Sequence, residues 1–259
     1  MLRLLLNKFK TVLILLIMGA LLTTTVSFAN TGEEREYINW RIEEQIVQTI
    51  SQRETTIVIR VGEYNGKAGK RIYINNTTVN LPSDIPVRND KDGKGFYVAE
   101  YDINLKQAKA IVSKLRAKGV NAHLQIANGK SEDLNAAGRI ANKTNPYLYV
   151  SIHHNYFNES STGYFAMYNP NDALGKRVAK DLANSIKDNG MVPMRENREN
   201  TGYLGELNSL NSSITGVLLE LGFFSNISEL ENICSNKYVE YTSNKLSDEM
   251  VKILDTYYK

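Results

Sequence analysis

The sequence predicts an α/β fold, a single domain over residues 55–259 with a mostly parallel mixed sheet flanked by helices on both faces. Three observations carry this expectation. Short β-branched and apolar runs alternate with segments whose apolar residues recur at helical spacing. Glycines such as Gly119 and Gly190 stand where predicted helices must stop. No internal repeat or low-complexity linker interrupts residues 55–259.

The elements follow in order. Thr55 to Gly62 is rich in β-branched residues and reads as a buried first strand. A helix starts at about Asp102, with Ala108, Ile111, Val112 and Leu115 on one face and Gly119 as its stop. Val120 to Ala127 is a second strand, and Ser131 opens a helix that runs to about Lys143. Tyr147 to Ile152 and Gly163 to Tyr168 are the third and fourth strands. Leu174, Val178, Leu182 and Ile186 mark a helix closed by Gly190, and Thr215 to Leu221 is the last strand. Leu246, Met250, Ile253 and Leu254 place a helix at the C-terminus. The long connection from Tyr64 to Ala99 carries a predicted hairpin over Arg71 to Leu81, two prolines (Pro82, Pro86) and the turn-rich Asn89 to Gly93. A connection of that length is usually decorated or functional, and it is expected to lie over a site.

Ahead of the domain, residues 1–29 read as a secretory signal peptide. Arg3, Lys8 and Lys10 form its positive start, Val12 to Leu22 its apolar run, and Ser27-Phe28-Ala29 a small-residue cleavage site. The run is shorter than the roughly 20 residues that span a bilayer, and the alternative is an uncleaved anchor. Either reading places the domain outside the cytoplasm, secreted or in the cell wall. Residues 30–54 set Ile38, Ile42, Ile46, Val47 and Ile50 at helical spacing, which predicts an amphipathic helix packed on the domain.

Composition narrows the function. With 42% hydrophobic and 23% charged residues, the chain is neither disordered nor collagen-like. Cys234 is its one cysteine, so packing rather than disulfides must hold it together. The formal charge is +3, but three of the 31 basic residues lie in the predicted signal; the other 28 balance 28 acidic ones. That neutrality argues against nucleic acid as a partner.

In an open α/β sheet, ligands gather at the carboxyl ends of the strands. Glu63 follows the first strand, Glu100 precedes the first helix, His153 ends the third strand, and Glu220 lies inside the apolar run Gly216 to Gly222. A carboxylate in such a run is expensive unless paired, metal-bound or catalytic, which singles out Glu220. Taken alone, each of the others has a plain structural reading: a solvated turn residue (Glu63), a first-turn helix acid (Glu100), a hydrogen-bonded core histidine (His153, His154). His123, mid-strand, reads as structural.

Together the residues carry a resemblance. Ser151-Ile152-His153-His154-Asn155 resembles the Ser-Ile-His-x-Asn motif of the zinc-dependent N-acetylmuramoyl-L-alanine amidases. Glu100 to Leu105 is similar to that family's Glu-x-x-x-Asn-Leu segment, Arg139-Ile140-Ala141-Asn142 to its Arg-x-Ala-Asn stretch, and Leu219 to Asn226 to its closing Glu-Leu-Gly-Phe-x-Ser-Asn block. The resemblance implies an enzyme that cuts the amide between the lactyl group of N-acetylmuramic acid and the L-alanine of the stem peptide. It implies Glu100 and His153 as metal ligands and Glu220 as the catalytic carboxylate. Its substrate partner is peptidoglycan, with a protein activator as a further candidate and a membrane only if the signal stays uncleaved.

The first ligand departs from the pattern. Where the family has Asp-Pro-Gly-His-Gly, this chain has Arg60-Val61-Gly62-Glu63-Tyr64. Glu63 thus stands at the position of a His, and the implied site becomes Glu63, Glu100 and His153. Two carboxylates neutralise a divalent ion, which weakens zinc as a Lewis acid and makes manganese a second candidate. His154 as the missing imidazole is disfavoured, because neighbours on a strand face opposite ways. The lost His and the long connection suggest the alternative of an inactive amidase-fold protein that binds cell wall or a protein partner; the retained Glu220 speaks against it. A zinc carboxypeptidase acting on stem peptides is a weaker third reading.

Overall fold

The computed structural model describes residues 56–63, 70–75, 78–126 and 134–258. The predicted signal peptide (1–29) and N-terminal helix (30–54) lie outside the described residues, as does the predicted helix start at Ser131. The described chain forms strands β1 (Ile57–Val61), β2 (Arg71–Tyr73), β3 (Arg88–Asp90), β4 (Gly95–Ala99), β5 (Ala122–Gln125), β6 (Leu148–Asn155), β7 (Phe165–Tyr168), β8 (Arg198–Glu199) and β9 (Thr215–Phe223). Its helices are α1 (Glu100–Ala117), α2 (Leu134–Thr144), α3 (Ala173–Ser185), α4 (Gly205–Asn208), α5 (Ile227–Cys234) and α6 (Asn236–Tyr257).

The main sheet has the order β5-β1-β6-β9-β7-β8. β5, β1, β6 and β9 run parallel, while β7 turns antiparallel to β9. This is the predicted mostly parallel mixed sheet. Every residue of β1, and seven of the eight in β6, is buried, as expected for strands covered on both faces. Alternation along the strands divides the side chains. Val58, Tyr149, Leu218, Phe165 and Met167 form a core with Ala141 of α2 and Leu207 of α4. The alternate residues face the side on which α1, α3 and α6 pack.

The helix stop at Gly119 is as expected, with φ at +80°. Glu100 and Asp102 lie in the first turn of α1, and Lys114 and Arg116 in its last, each complementing the helix dipole.

The connection after β1 corrects one expectation. Among the described residues of Arg71 to Leu81 no hairpin forms. Instead β2 pairs antiparallel with β4, and β4 with β3, in a separate three-stranded sheet. The hairpin is the β3–β4 pair, because Asp90 to Gly93 has the turn chemistry. Gly93 N–H donates to the Asp90 carbonyl at 3.1 Å, Asp92 N–H to Asp90 Oδ1 at 2.9 Å, and Gly93 and Gly95 take positive φ. Residues 78–87 hold Pro82 and Pro86, which have no N–H to donate to a ladder. Arg88 then grips Asp102 with two bonds, 2.9 and 2.7 Å, tying the small sheet to α1. β4 runs straight into α1, so the last strand residue, Ala99, is followed directly by Glu100.

Candidate active site

Strand alternation places the site. β6 and β9 pair in register, with Ser151 beside Leu218 and His153 beside Glu220. His153 therefore shares a sheet face with Tyr149, Ser151 and Glu220, while His154 faces α1. β1 ends at Val61, and Gly62 N–H continues the ladder to the Ile152 carbonyl at 2.8 Å. A Cβ at Gly62 would stand 2.4 Å from that oxygen and 2.5 Å from the His153 ring, so only glycine lets the strand end lie against His153. The next residue, Glu63, adopts φ of +58°, a left-handed conformation that costs a non-glycine residue about 1 kcal/mol.

These turns converge. One donor atom each from Glu63, Glu100 and His153 lie within 4.8 Å of one another. Glu100 is buried, and its Oε1 accepts bonds from Asn104 Nδ2 at 3.1 Å and His154 N–H at 3.3 Å, and lies 3.2 Å from His153 Nδ1. Asn104 also donates to the Gly62 carbonyl at 3.0 Å, joining α1 to the end of β1. The other oxygen of Glu100, Oε2, is buried with no hydrogen-bond partner among the described residues. Glu220 Oε2 is in the same position.

The donor set fits a divalent cation. Two carboxylates and one imidazole are ligands zinc accepts, three protein ligands leave a coordination position open, and Glu100 Oε2 is an acceptor that otherwise lacks a partner. Among the described residues this is the cluster of such side chains close enough to hold a metal.

The electrostatics are those of crowded carboxylates. Burial raises the pKa of Glu220 to about 7; the Glu100 charge pushes the same way, and His153 opposes it. Burial and Glu100 likewise raise Glu63. The positive charge of Lys70, at the start of the small sheet, opposes both of these upward shifts. Burial alone would lower His153, but hydrogen bonds and charge from Glu100 and Glu206 outweigh it and lift the pKa to about 10.

Glu206, on α4, is the residue that sequence reasoning missed. It is 1% exposed; Oε1 lies 3.2 Å from His153 Nε2, and Oε2 accepts from Tyr149 Oη and Ser151 Oγ, each at 2.9 Å. Oε2 also pairs with Arg60 at 3.2 Å, and burial notwithstanding, Arg60 and His153 hold the Glu206 pKa near 2. The available signal was Arg60, a cation inside the apolar strand Ile57–Val61, which requires a buried anion.

His154 is 1% exposed and its Nδ1 bonds Asn104 Oδ1 at 2.8 Å; burial, with the charge of His153, lowers its pKa to about 3, so it is a neutral core histidine. His123, in β5 away from the cluster, is lowered to about 4 by burial and the Arg116 charge.

The sequence family described as N-acetylmuramoyl-L-alanine amidase matches residues 88–251, which include Glu100, His153, Glu206 and Glu220. The chain belongs to this family. The amidase is thus a hydrolase acting on peptidoglycan. Glu63 lies outside the matched segment. Among curated proteins, the chain is similar to the uncharacterized protein YqiI of Bacillus subtilis (strain 168), 28% identical over 169 residues, 64% of this chain and 77% of that protein. The amidase fold is shared with an N-acetylmuramoyl-L-alanine amidase of Clostridium difficile 630, at a TM-score of 0.58 and 21% identity, covering 79% of this chain and 98% of that one. It is shared too with the CwlD amidase of Clostridioides difficile, solved in complex with the GerS lipoprotein, at 0.54 and 21%, covering 78% and 99%.

Proposed function

We propose that the amidase is metal-dependent, with Glu63, Glu100 and His153 as the ligands of a zinc ion and Glu220 as the general base. The observation that carries this is the convergence of the three donor atoms within 4.8 Å, beside a carboxylate in register with His153. A divalent cation bound there supplies positive charge that polarises the scissile carbonyl and favours attack by water.

The protein's own groups do the rest. Glu220 accepts a proton from the attacking water and returns it to the departing amine of L-alanine. Glu100 is aimed by Asn104 and by His154 N–H, so its free Oε2 is presented without a search for the right rotamer. Glu63 replaces an imidazole with a carboxylate, which neutralises the cation formally and makes manganese the competitor to zinc.

The signal-like residues 1–29 support a secreted or cell-wall location, and no helix among the described residues is long and apolar enough to cross a membrane. The lipoprotein complex of the similar CwlD amidase supports a protein activator as a second partner beside peptidoglycan.

Digestion of purified peptidoglycan with zinc or manganese, read by mass spectrometry with Glu220→Gln as control, tests the reading. Stem peptides bearing a free N-terminal alanine, absent from the control, are expected. Wall binding without release under either metal would instead favour an inactive binding protein.

A further inference from the structure

We propose that Glu206 is a positioning residue of this amidase: it holds His153 through Nε2, so that Nδ1 faces the cation. The inference rests on the metal-dependent reading, since it concerns which nitrogen His153 offers to the ion.

The His153 ring is held between two carboxylates on different edges. Glu100 Oε1 is 3.2 Å from Nδ1, and Glu206 Oε1 is 3.2 Å from Nε2. Glu100 belongs to the cluster that can hold a metal and Glu206 does not. A cation shared by Glu100 and His153 therefore takes the Nδ1 edge. A neutral imidazole carries a single N–H, and the ligating nitrogen must offer its lone pair. The proton is then left on Nε2, where Glu206 accepts it. An acceptor on the second nitrogen fixes both tautomer and ring orientation and strengthens the ligand.

Glu206 is built to be immobile. Tyr149, Ser151 and Arg60 all engage Oε2, which leaves Oε1 to His153. A carboxylate present only to neutralise Arg60 would need neither that division of labour nor the two hydroxyls. Its partners come from β1 and β6, and Tyr149 and Ser151 share the sheet face of His153. Arg60 is 3% exposed, and its charge cancels that of Glu206, so the carboxylate orients His153 without adding net charge to the centre.

The test compares the full-length wild type with Glu206→Gln and with the double variant Arg60→Met/Glu206→Gln, which removes both buried charges together. Zinc affinity is measured by chelator competition, and folding by thermal unfolding without metal. Nitrogen NMR of the ring reports the His153 tautomer. The expected result is a zinc affinity about 10- to 100-fold weaker in a variant that still folds. In the zinc-bound wild type, His153 should carry its proton on Nε2, a measurement that needs no variant. Folded variants that bind zinc like the wild type, or a wild-type His153 that carries its proton on Nδ1, overturn the proposal alone. A wild-type protein that binds neither zinc nor manganese overturns the metal reading and this proposal with it.

Discussion

His153 and Glu220 are direct neighbours in the parallel ladder of β6 and β9, side chains on one face of the sheet. One is a cation-prone imidazole and the other a carboxylate driven to a pKa of about 7 by burial. The ladder fixes their separation, so the spacing of the proposed ligand and the proposed base is set by backbone hydrogen bonds rather than by loops.

Replacing the proposed base should slow turnover sharply and spare the fold. Glu220→Gln removes the proton acceptor and is expected to lower the rate of stem-peptide release by about 10²- to 10⁴-fold. Glu220 Oε2 has no hydrogen-bond partner among the described residues, so replacing that oxygen costs no pairing there, and the unfolding temperature should not fall. Product release by mass spectrometry and a thermal melt check both parts.

Gly62→Ala should damage stability and metal binding together. The added Cβ meets the Ile152 carbonyl at 2.4 Å and the His153 ring at 2.5 Å, and neither backbone nor ring can yield freely in this core. A loss of about 2 kcal/mol is expected by urea unfolding. Zinc content per protein, measured on the soluble fraction, should drop as His153 is displaced.

At Glu63 the imidazole of the family pattern can be restored. Histidine is among the residues that tolerate positive φ, so Glu63→His should fold with the backbone at φ of +58°. The site would then hold one carboxylate fewer and bind a cation with a net positive charge. The preference for zinc over manganese is expected to rise by about tenfold, read by competition between the two ions.

Acid should weaken the fold through His123. Its folded pKa of about 4 lies below the ordinary 6.5, so the unfolded chain takes up the proton first as pH falls. Stability is therefore full above about pH 6.5 and is lost progressively down to about pH 4. The total is at most about 3 kcal/mol, less where water reaches the ring. Urea midpoints across this window should fall less steeply in His123→Gln than in the wild type.

Most of the sheet was legible because its strands are unbroken apolar runs. Ile57–Val61 and Leu148–Ile152 advertise burial on both faces, and helix stops such as Gly119 require a backbone few residues accept. Glu100, His153 and Glu220 stood out as candidates because a charge or ring beside such runs is conspicuous. Three things were not. β2 pairs with β4 across about twenty residues, and local turn signals cannot announce a partner so far away. The four-residue α4 is too short to show a helical period. Glu206 sits on it, in an unremarkable Gly-Glu-Leu context, and only the fold brings it to Arg60 and His153.

That ion pair also constrains how this protein can diverge. Arg60 and Glu206 are both almost fully buried, so removing either takes from the other an ion-pair partner that water does not replace, typically a loss of about 3–5 kcal/mol. Such an intermediate consumes a large part of a domain's whole stability. A change at one of the two positions is thus felt at the other, and Glu206 answers to a second constraint besides, its contact with His153.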